Sequence, residues 1–229
     1  MMRRLLVLAI AACACAVPLA TSAAKPPKKP SGGAPALTIT ARPTLITYGR
    51  TAIISGRLTG ANHGNRPVGL QRNPWPFRAM VDARRVTRTA SNGSYTFTVR
   101  PTRHTRYRAV TPQPATIYDT LLRSPEVLIR VRLRVGIRLS DSTPRRGQRV
   151  RFFGSVAPKH NGRRVFVQRR RRDGRWRTVA RTITRNAPGN RSRYSKRVRV
   201  FRNAVYRVRV RGHADHRTGT SRTRAIRVH

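Results

Sequence analysis

The feature that most constrains this chain is a repeat of about 98 residues. Three glycines at positions 49, 56 and 64 recur 98 residues later at positions 147, 154 and 162. Further landmarks recur at spacings of 97 to 99 residues, which a small insertion or deletion explains: Val68 and Val165, Gln71 and Gln168, Tyr95 and Tyr194, Tyr107 and Tyr206, Ile129 and Ile226. Because each copy has the size of a small domain, the repeat predicts one module used twice, over residues 36–132 and 133–229.

The pattern within each copy predicts strands and no helix. Short runs rich in β-branched and aromatic residues are separated by turn-forming residues at the spacing of an antiparallel sandwich. The predicted strands are residues 37–41, 51–58, 67–72, 84–89, 95–99, 105–110 and 127–132 in the first copy, and 135–140, 149–156, 164–170, 176–184, 194–201, 205–211 and 222–228 in the second. The expected fold class is all-β, with two tandem seven-stranded antiparallel sandwiches joined end to end after a signal peptide.

Two dipeptides predict tight turns. Asp173-Gly174 lies between two strand-like runs, and because both residue types tolerate positive φ it predicts a two-residue hairpin loop. Asn92-Gly93 predicts the same kind of hairpin in the first copy.

Residues 128–139 join the two copies and alternate most clearly. The apolar set is Ile129, Val131, Leu133, Val135, Ile137 and Leu139, and the set facing the other way is Arg130, Arg132, Arg134 and Arg138. A strand period of two places the first set in the core and the arginines in an outward row. Because almost no residues separate the copies, we expect restricted bending and an elongated rod.

Positive charge dominates the composition, with 51 Lys and Arg residues against 6 Asp and Glu residues. Residues 34–130 carry a net charge of +12 and residues 131–229 a net charge of +28. A dense positive field attracts phosphate or carboxylate polymers. The excess of Arg over Lys has an alternative origin in codon preference. That alternative explains the scarcity of acids less well, since soluble domains usually intersperse both signs.

The densest basic cluster flanks the Asp173-Gly174 turn. It comprises Arg169, Arg170, Arg171, Arg172, Arg175 and Arg177, with Trp176 among them. Arginine binds phosphate and carboxylate groups in a bidentate way and stacks on aromatic rings. This cluster and the row formed by Arg130, Arg132, Arg134 and Arg138 are therefore the predicted polyanion-binding residues. The alternative is a solvated hairpin whose charges protect an edge strand from aggregation.

The N-terminal residues predict export. Arg3 and Arg4 precede an apolar run over residues 5–16, which is too short to span a bilayer comfortably. Residues 22–24 follow the small-x-small rule and predict a signal peptide over residues 1–24, cleaved after Ala24. A basic, Pro-rich linker follows at residues 25–35. Cys13 ends a lipobox-like sequence and is an alternative site for a lipid anchor.

Cleavage after Ala24 would remove Cys13 and Cys15, the two cysteines of the chain. The mature protein would then have no disulfide, and each copy would fold on its apolar core alone. We expect a secreted or cell-surface protein with no membrane span after signal cleavage.

Tyr107 and Tyr206 each lie near the start of a predicted strand, just after a turn. This arrangement resembles the tyrosine corner of Greek-key sandwiches, in which the phenol hydroxyl bonds back to the preceding connection. Together with the recurring glycines, the pattern is similar to fibronectin type III and bacterial immunoglobulin-like repeats of exported proteins from high-GC Gram-positive bacteria. The resemblance covers nearly all of residues 36–229 and implies immunoglobulin-like sandwiches that act as surface spacer, adhesive or polymer-binding modules. The Cys pair and core Trp of antibody domains are missing, so an antibody-type core is not implied.

No catalytic constellation is recognisable. Acids are too few to suggest a carboxylate pair, and no Gly-x-Ser-x-Gly or phosphate-binding glycine motif occurs. We therefore expect neither an enzyme nor a cofactor. His213, Asp215 and His216 offer transition-metal ligands, but their spacing is not that of a standard motif. A solvated loop is the preferred interpretation, and no metal site is predicted. His63 and His160 are interpreted as turn-packing residues.

The predicted function is electrostatic, low-specificity association of an exported, non-enzymatic protein with anionic cell-wall or extracellular polymers. The alternative is a surface adhesion or spacer module that binds a protein partner through its loops. Sequence-specific nucleic-acid binding is not expected, because an exported protein is removed from the chromosome and no recognition helix is visible.

Overall fold

A computed structural model describes residues 34–112 and 121–229. These residues belong to one compact unit, Gly32–His229. The predicted signal peptide, Cys13 and residues 25–33 of the predicted linker lie outside the described residues. The two described stretches contain no helix, and therefore none that is long and apolar enough to cross a membrane. The predicted all-β class is confirmed, with several sheets.

Twenty short strands make up the described chain. In the N-terminal segment, defined as residues 34–132, they are β1 (Ala36–Leu37), β2 (Thr40–Arg42), β3 (Leu45–Thr47), β4 (Ala52–Thr59), β5 (Pro67–Pro74), β6 (Val81–Arg88), β7 (Ser94–Val99), β8 (Thr105–Pro112), β9 (Leu121–Arg123) and β10 (Val127–Arg132). In the C-terminal segment, residues 133–229, they are β11 (Arg134–Val135), β12 (Arg138–Leu139), β13 (Arg149–Ala157), β14 (Arg164–Arg170), β15 (Trp176–Ile183), β16 (Arg185–Ala187), β17 (Arg191–Arg199), β18 (Ala204–Val210), β19 (Gly219–Thr220) and β20 (Arg224–Ile226). Every predicted strand overlaps an observed one, and β3, β9, β16 and β19 were not predicted.

The strands form four sheets, two in each segment. In the N-terminal segment one sheet has the order β1-β4-β2 with β7 also on β4, and the other has the order β3-β10-β8-β5-β6 with β9 on β8. In the C-terminal segment the orders are β11-β13-β17-β16 with β12 on β13, and β15-β14-β18-β19 with β20 on β18. The pair of β3 and β10 is parallel, with Arg130 beside Leu45. The predicted wholly antiparallel arrangement is wrong at this pair.

Each segment has its own hydrophobic core. Ile54, Leu70 and Ile129 are among the buried residues of the first core, and Phe152 and Val167 are among those of the second. Val131 belongs to the first core and Leu133 to the second, so Arg132 alone separates them. In residues 129–138 the apolar side chains are buried and the four arginines are exposed. They do not form one continuous strand, because β10 belongs to one segment and β11 and β12 to the other.

A tyrosine hydrogen bond interrupts the first predicted strand of each copy at the same place. The Tyr95 hydroxyl donates to the Thr38 carbonyl between β1 and β2. The Tyr194 hydroxyl donates to the Gly136 carbonyl, at 2.6 Å, between β11 and β12. Each tyrosine lies on the next strand but one and reaches its carbonyl across the strand between them, at the place where one predicted strand is divided into two short ones.

Gly56 and Gly154 face these tyrosines, and a Cβ at either position would collide with the hydroxyl and with the facing backbone carbonyl. The contact explains why this glycine and this tyrosine recur together in the repeat. The prediction that Tyr107 and Tyr206 form tyrosine corners is wrong. Within the described residues their hydroxyls make no hydrogen bond to backbone, and both rings are buried in the cores.

The turn at Asp173-Gly174 joins β14 to β15, which pair as a hairpin. The Arg171 amide donates to the Arg175 carbonyl at 2.8 Å, and Gly174 has φ +77°. Three residues, not two, therefore close the loop, with glycine in the left-handed position of a three-residue hairpin.

The turn at Asn92-Gly93 is also present, with Gly93 at φ +81°. The strands on either side of it do not pair with each other, since β6 lies on β5 and β7 lies on β4. The predicted hairpin is wrong here, and the turn carries the chain from one sheet to the other.

Candidate functional site: an arginine-lined groove

An open groove of about 1420 Å³ runs over the outward face of the sheet that contains β11, β12, β13, β17 and β16. No acidic side chain lines it within the described part of the chain. Its arginines, which define the arginine groove, are Arg50, Arg134, Arg138, Arg151, Arg185, Arg191, Arg193 and Arg222. Seven of these eight come from the C-terminal segment, so the groove is largely a feature of that segment.

The alternation of β13 and β17 produces this face. Val150 and Phe152 of β13 are fully buried in the core, which leaves Arg151 exposed on the other side of the sheet. On β17, Tyr194 is buried and Arg193 is exposed. Successive side chains of a strand point to opposite faces. When the apolar set is buried, every second residue is therefore exposed on the side of the sheet that faces the groove.

Strand pairing then places arginines directly opposite one another. Arg149 is opposite Arg199, Arg151 is opposite Arg197, and Arg185 is opposite Arg193. Like charges at directly opposed positions destabilise a sheet. None of these six arginines forms an ion pair in the part of the chain that the structure describes, where the ion pairs involve other residues. The face therefore has a strong unbalanced positive charge that an anion from solution would neutralise.

One aromatic ring lies among these arginines. Phe153 is partly exposed, and the Arg151 guanidinium lies over its ring at 4.6 Å from the centroid. Arg138 is opposite Phe153 on β12. Stacking on the ring holds the Arg151 guanidinium plane in a defined orientation while its outer edge stays free for an anion.

The hairpin of β14 and β15, which the sequence singled out, lies in the other sheet of the C-terminal segment. Arg170 is opposite Trp176 and Arg169 is opposite Arg177, so the two pairs lie on opposite faces of that sheet. The remaining predicted arginines of the cluster lie in the loop: Arg171, Arg172 and Arg175. The hairpin arginines are thus dispersed over two faces and a loop.

Two contacts within the chain already occupy part of this hairpin. The Arg207 guanidinium lies over the Trp176 ring at 4.1 Å, and its Nε donates to Gln168 at 2.9 Å. At the loop, Arg171 forms an ion pair with Asp173 at 3.6 Å. The ring of Trp176, a member of the predicted polyanion-binding cluster, therefore has one face covered by the protein's own arginine.

Of the predicted polyanion-binding residues, Arg134 and Arg138 line the arginine groove. Arg130 and Arg132 are exposed on β10, outside it. The remaining groove arginines were not predicted from the sequence: Arg50, Arg151, Arg185, Arg191, Arg193 and Arg222. A signal for some of them is present in the sequence, because residues 149–152 and 191–194 alternate arginine with a residue that is buried in the structure.

The structure also relocates the histidine candidates. Asp215 and His216 are not in a solvated loop: the His216 ring is buried, and its Nδ1 lies 3.0 Å from Asp215 Oδ2. The second imidazole on this carboxylate is that of His160, with Nε2 3.2 Å from Asp215 Oδ1. His213 is half exposed, with Nδ1 3.5 Å from the same oxygen. Burial acts to raise the pKa of Asp215, but the hydrogen bond from His160 and the charges of both imidazoles outweigh burial and lower it.

No protein-family model matches the chain, and no curated protein matches it. Among solved structures, the D0-D1 domain of intimin is similar at 10% sequence identity and a TM-score of 0.31, over 82% of this chain and 97% of that chain. A similarity this low carries no argument about function.

Proposed function

We propose that this chain is an exported, non-enzymatic protein of two tandem immunoglobulin-like sandwiches that associates electrostatically with anionic cell-envelope or extracellular polymers. The observation that carries the proposal is the row of directly opposed arginines beside the arginine groove, without an acidic residue to balance them. Such an arrangement raises the free energy of the isolated protein. A polyanion lying along the groove removes that cost on binding.

The N-terminal segment supports this interpretation against a uniform excess of arginine. Its equivalent sheet has the same register, and Ile53 and Thr98 stand opposite each other where Arg151 and Arg197 do in the second segment. A codon preference would place arginines on both exposed faces. Of these two equivalent faces, the one in the second segment has the directly opposed arginines, which supports a charged binding surface there.

Binding would follow the physics of counterion release. A polymer with regularly spaced phosphate or carboxylate groups holds condensed cations, and arginines that replace them release those cations to solution. The affinity therefore falls steeply as salt rises, and it depends on charge density more than on polymer sequence. An open groove fits an extended chain, and the guanidinium groups bind its anionic groups in a bidentate way.

The test compares two variants that each remove three positive charges. The groove variant is Arg138→Gln, Arg151→Gln and Arg193→Gln. The hairpin variant is Arg170→Gln, Arg172→Gln and Arg175→Gln. Binding is measured against intact cell-wall sacculi, sacculi stripped of anionic polymer, and duplex DNA as a generic polyanion, over a range of salt concentrations.

We expect the protein to bind intact sacculi and to lose binding on stripping. The groove variant should reduce the slope of log affinity against log salt by about 2, if each lost contact contributes about 0.7. The hairpin variant should stay close to the unmodified protein. Equal effects of the two variants would show that total charge acts without a defined site. Undiminished binding to stripped sacculi at physiological salt would instead favour a protein partner bound through the loops.

A further inference from the structure

The junction of the two segments holds a cluster of side chains that polymer binding does not use. Its members are His160, in the loop after β13, and Asp215 and His216, in the loop after β18. We call these three residues the junction cluster. Their donor atoms all lie within 4.8 Å of one another. They come from loops 55 residues apart in the chain. The His160 amide donates to Ser192 Oγ at 2.9 Å, and the Gly212 amide donates to Thr218 Oγ1 at 3.2 Å.

Backbone atoms of the N-terminal segment orient this cluster. His216 Nε2 lies 2.8 Å from the Thr102 carbonyl oxygen. The His104 amide donates to the Asp215 carbonyl at 3.0 Å, and His104 Nδ1 accepts from the Val131 amide at 3.0 Å. The cluster is therefore built by both segments, although all three of its side chains belong to the second.

Hydrogen-bond partners limit which nitrogen of each imidazole carries a hydrogen. A carbonyl oxygen only accepts, so His216 Nε2 carries the hydrogen that it donates to Thr102. His160 lies between two acceptors, with Nδ1 3.2 Å from the Pro158 carbonyl oxygen and Nε2 3.2 Å from Asp215 Oδ1, so a hydrogen on either nitrogen has a partner. With neutral rings, His216 Nδ1 has a lone pair that faces the Asp215 carboxylate, and the tautomer of His160 with its hydrogen on Nδ1 presents a second lone pair there at Nε2.

Two lone pairs facing a carboxylate repel it unless a cation lies between them. His216 Nδ1 is buried and has no hydrogen-bond partner, although Asp215 Oδ2 is 3.0 Å away. One metal ion would satisfy both nitrogens and the carboxylate together. Protons on both of these nitrogens, with both carbonyl hydrogen bonds kept, would make two imidazolium rings with centroids 4.8 Å apart.

We propose that the junction cluster binds a divalent transition-metal ion of the zinc class through His160 Nε2, His216 Nδ1 and the Asp215 carboxylate. Two imidazole nitrogens and one carboxylate are ligands that zinc accepts, whereas calcium and magnesium prefer oxygen alone. Ligating histidines commonly donate their second N–H to a backbone carbonyl, and each of these two has such a carbonyl within hydrogen-bond distance of its second nitrogen. His213, whose Nδ1 is 3.5 Å from Asp215 Oδ1, or a water molecule would take the fourth position.

The consequence concerns the junction. His216 is bonded to Thr102 of the N-terminal segment, so an ion on its other nitrogen would secure the contact between segments. His63 holds the equivalent loop position in the first copy, with Nδ1 2.8 Å from the Gly60 carbonyl oxygen. Within the described residues His63 contacts no carboxylate, so it serves as the matched control.

The test titrates the purified, tag-free protein, stripped with a chelator, with Co²⁺ and with Zn²⁺. Visible d–d absorption reports Co²⁺ coordination, and calorimetry and melting temperature report Zn²⁺ binding. In separate titrations we expect one equivalent of Co²⁺ or one equivalent of Zn²⁺ to bind, and the Co²⁺ spectrum to be of low-coordinate type. The melting temperature should rise when Zn²⁺ is added and return to its starting value when chelator is added.

Asp215→Asn and His160→Gln should each weaken binding about tenfold or more, while His63→Gln should bind as the unmodified protein does. Absence of a Co²⁺ spectrum and of Zn²⁺ heat in the unmodified protein would overturn the proposal without reliance on any variant. Unchanged binding by Asp215→Asn would overturn it as well, because the ion would then lie elsewhere on the surface. The proposal does not depend on polymer binding by the arginine groove.

Discussion

The two segments share their internal hydrogen bonds in detail. Buried serines illustrate this: Ser124 Oγ accepts from the Ala109 amide at 2.8 Å, and Ser221 Oγ accepts from the Val208 amide at 2.9 Å. Glutamines on the central strands do the same, since Gln71 and Gln168 each accept from an arginine Nε on the neighbouring strand, at 2.7 and 2.9 Å. The repeat is thus a repeat of polar contacts that hold sheets together, as well as of buried apolar side chains.

The outward faces of the equivalent sheets are different. In the first segment Thr40 stands opposite Ser55, and Ser55 opposite Thr96. At the matching places in the second segment Arg138 stands opposite Phe153, and the arginine pairs lie on either side. A solvated face tolerates such changes because it contributes little packing energy. One architecture therefore supports a face with few arginines and one with many, and the difference is where function is expected to lie.

The largest expected effect comes from disrupting the glycine–tyrosine contact that the two segments share. In Gly154→Ala the new methyl group would collide with the Gly136 carbonyl and the Tyr194 hydroxyl, and we expect a loss of about 3 kcal/mol from the free energy of unfolding. Gly56→Ala should cost a similar amount through Thr38 and Tyr95. Guanidinium unfolding measures both. Gly162→Ala is the control, because its Cβ would meet no atom within 4 Å and its cost would come from its φ of +71° alone. A Gly154→Ala variant no less stable than this control would contradict the shared contact.

An intermediate effect tests whether the shared polar contacts are energetically equivalent. Ser221→Ala would leave the Val208 amide without its acceptor in a buried position, at a cost of about 2 kcal/mol. Ser124→Ala should cost about the same, within about 0.5 kcal/mol, because its hydroxyl makes the same two bonds. Thermal and guanidinium unfolding provide the comparison. Clearly unequal costs would show that the segments resemble each other in geometry but not in energetics.

The smallest expected effect sharpens the difference between the faces. Arg197→Gln removes one member of the pair with Arg151, and we expect it to stabilise the unliganded protein by about 0.5 kcal/mol at low salt. The gain should disappear at high salt, because added ions screen the repulsion between exposed charges. Thr98→Arg in the first segment faces the uncharged Ile53 and should show no such salt dependence. A stability change in Arg197→Gln that is independent of salt would indicate packing instead of charge.

Much of the secondary structure followed from local pattern. The alternation around Ile129 and Arg130 predicted correctly which side chains are buried, because the side-chain period of a strand is a property of neighbouring residues. The missed strands are two or three residues long, as in β3 and β19, and are too short to show a period. The hairpin at Asp173-Gly174 was found from its residue types, but its loop length depends on how β14 and β15 pair.

The candidate site was much harder to predict from the sequence than the strands were. The arginine run after Gln168 was conspicuous because its members are adjacent in sequence, yet adjacent residues of a strand point to opposite faces. The arginine groove gathers residues such as Arg138, Arg151 and Arg193 from three strands, and no local pattern reports that they share a face. His160 was likewise interpreted as a turn residue, because its contact with Asp215 spans 55 positions.

By itself the sequence determined that this chain is built of strands, which side chains enter a core, and that the unit is used twice. Those properties depend on residue type, on period and on spacing, all of which are local. Tertiary structure alone decided which arginines face one groove and which imidazoles meet on Asp215. The physical reason is that strand register and loop packing, which bring distant residues together, are set by the cores and by paired backbone, and not by the charged residues themselves.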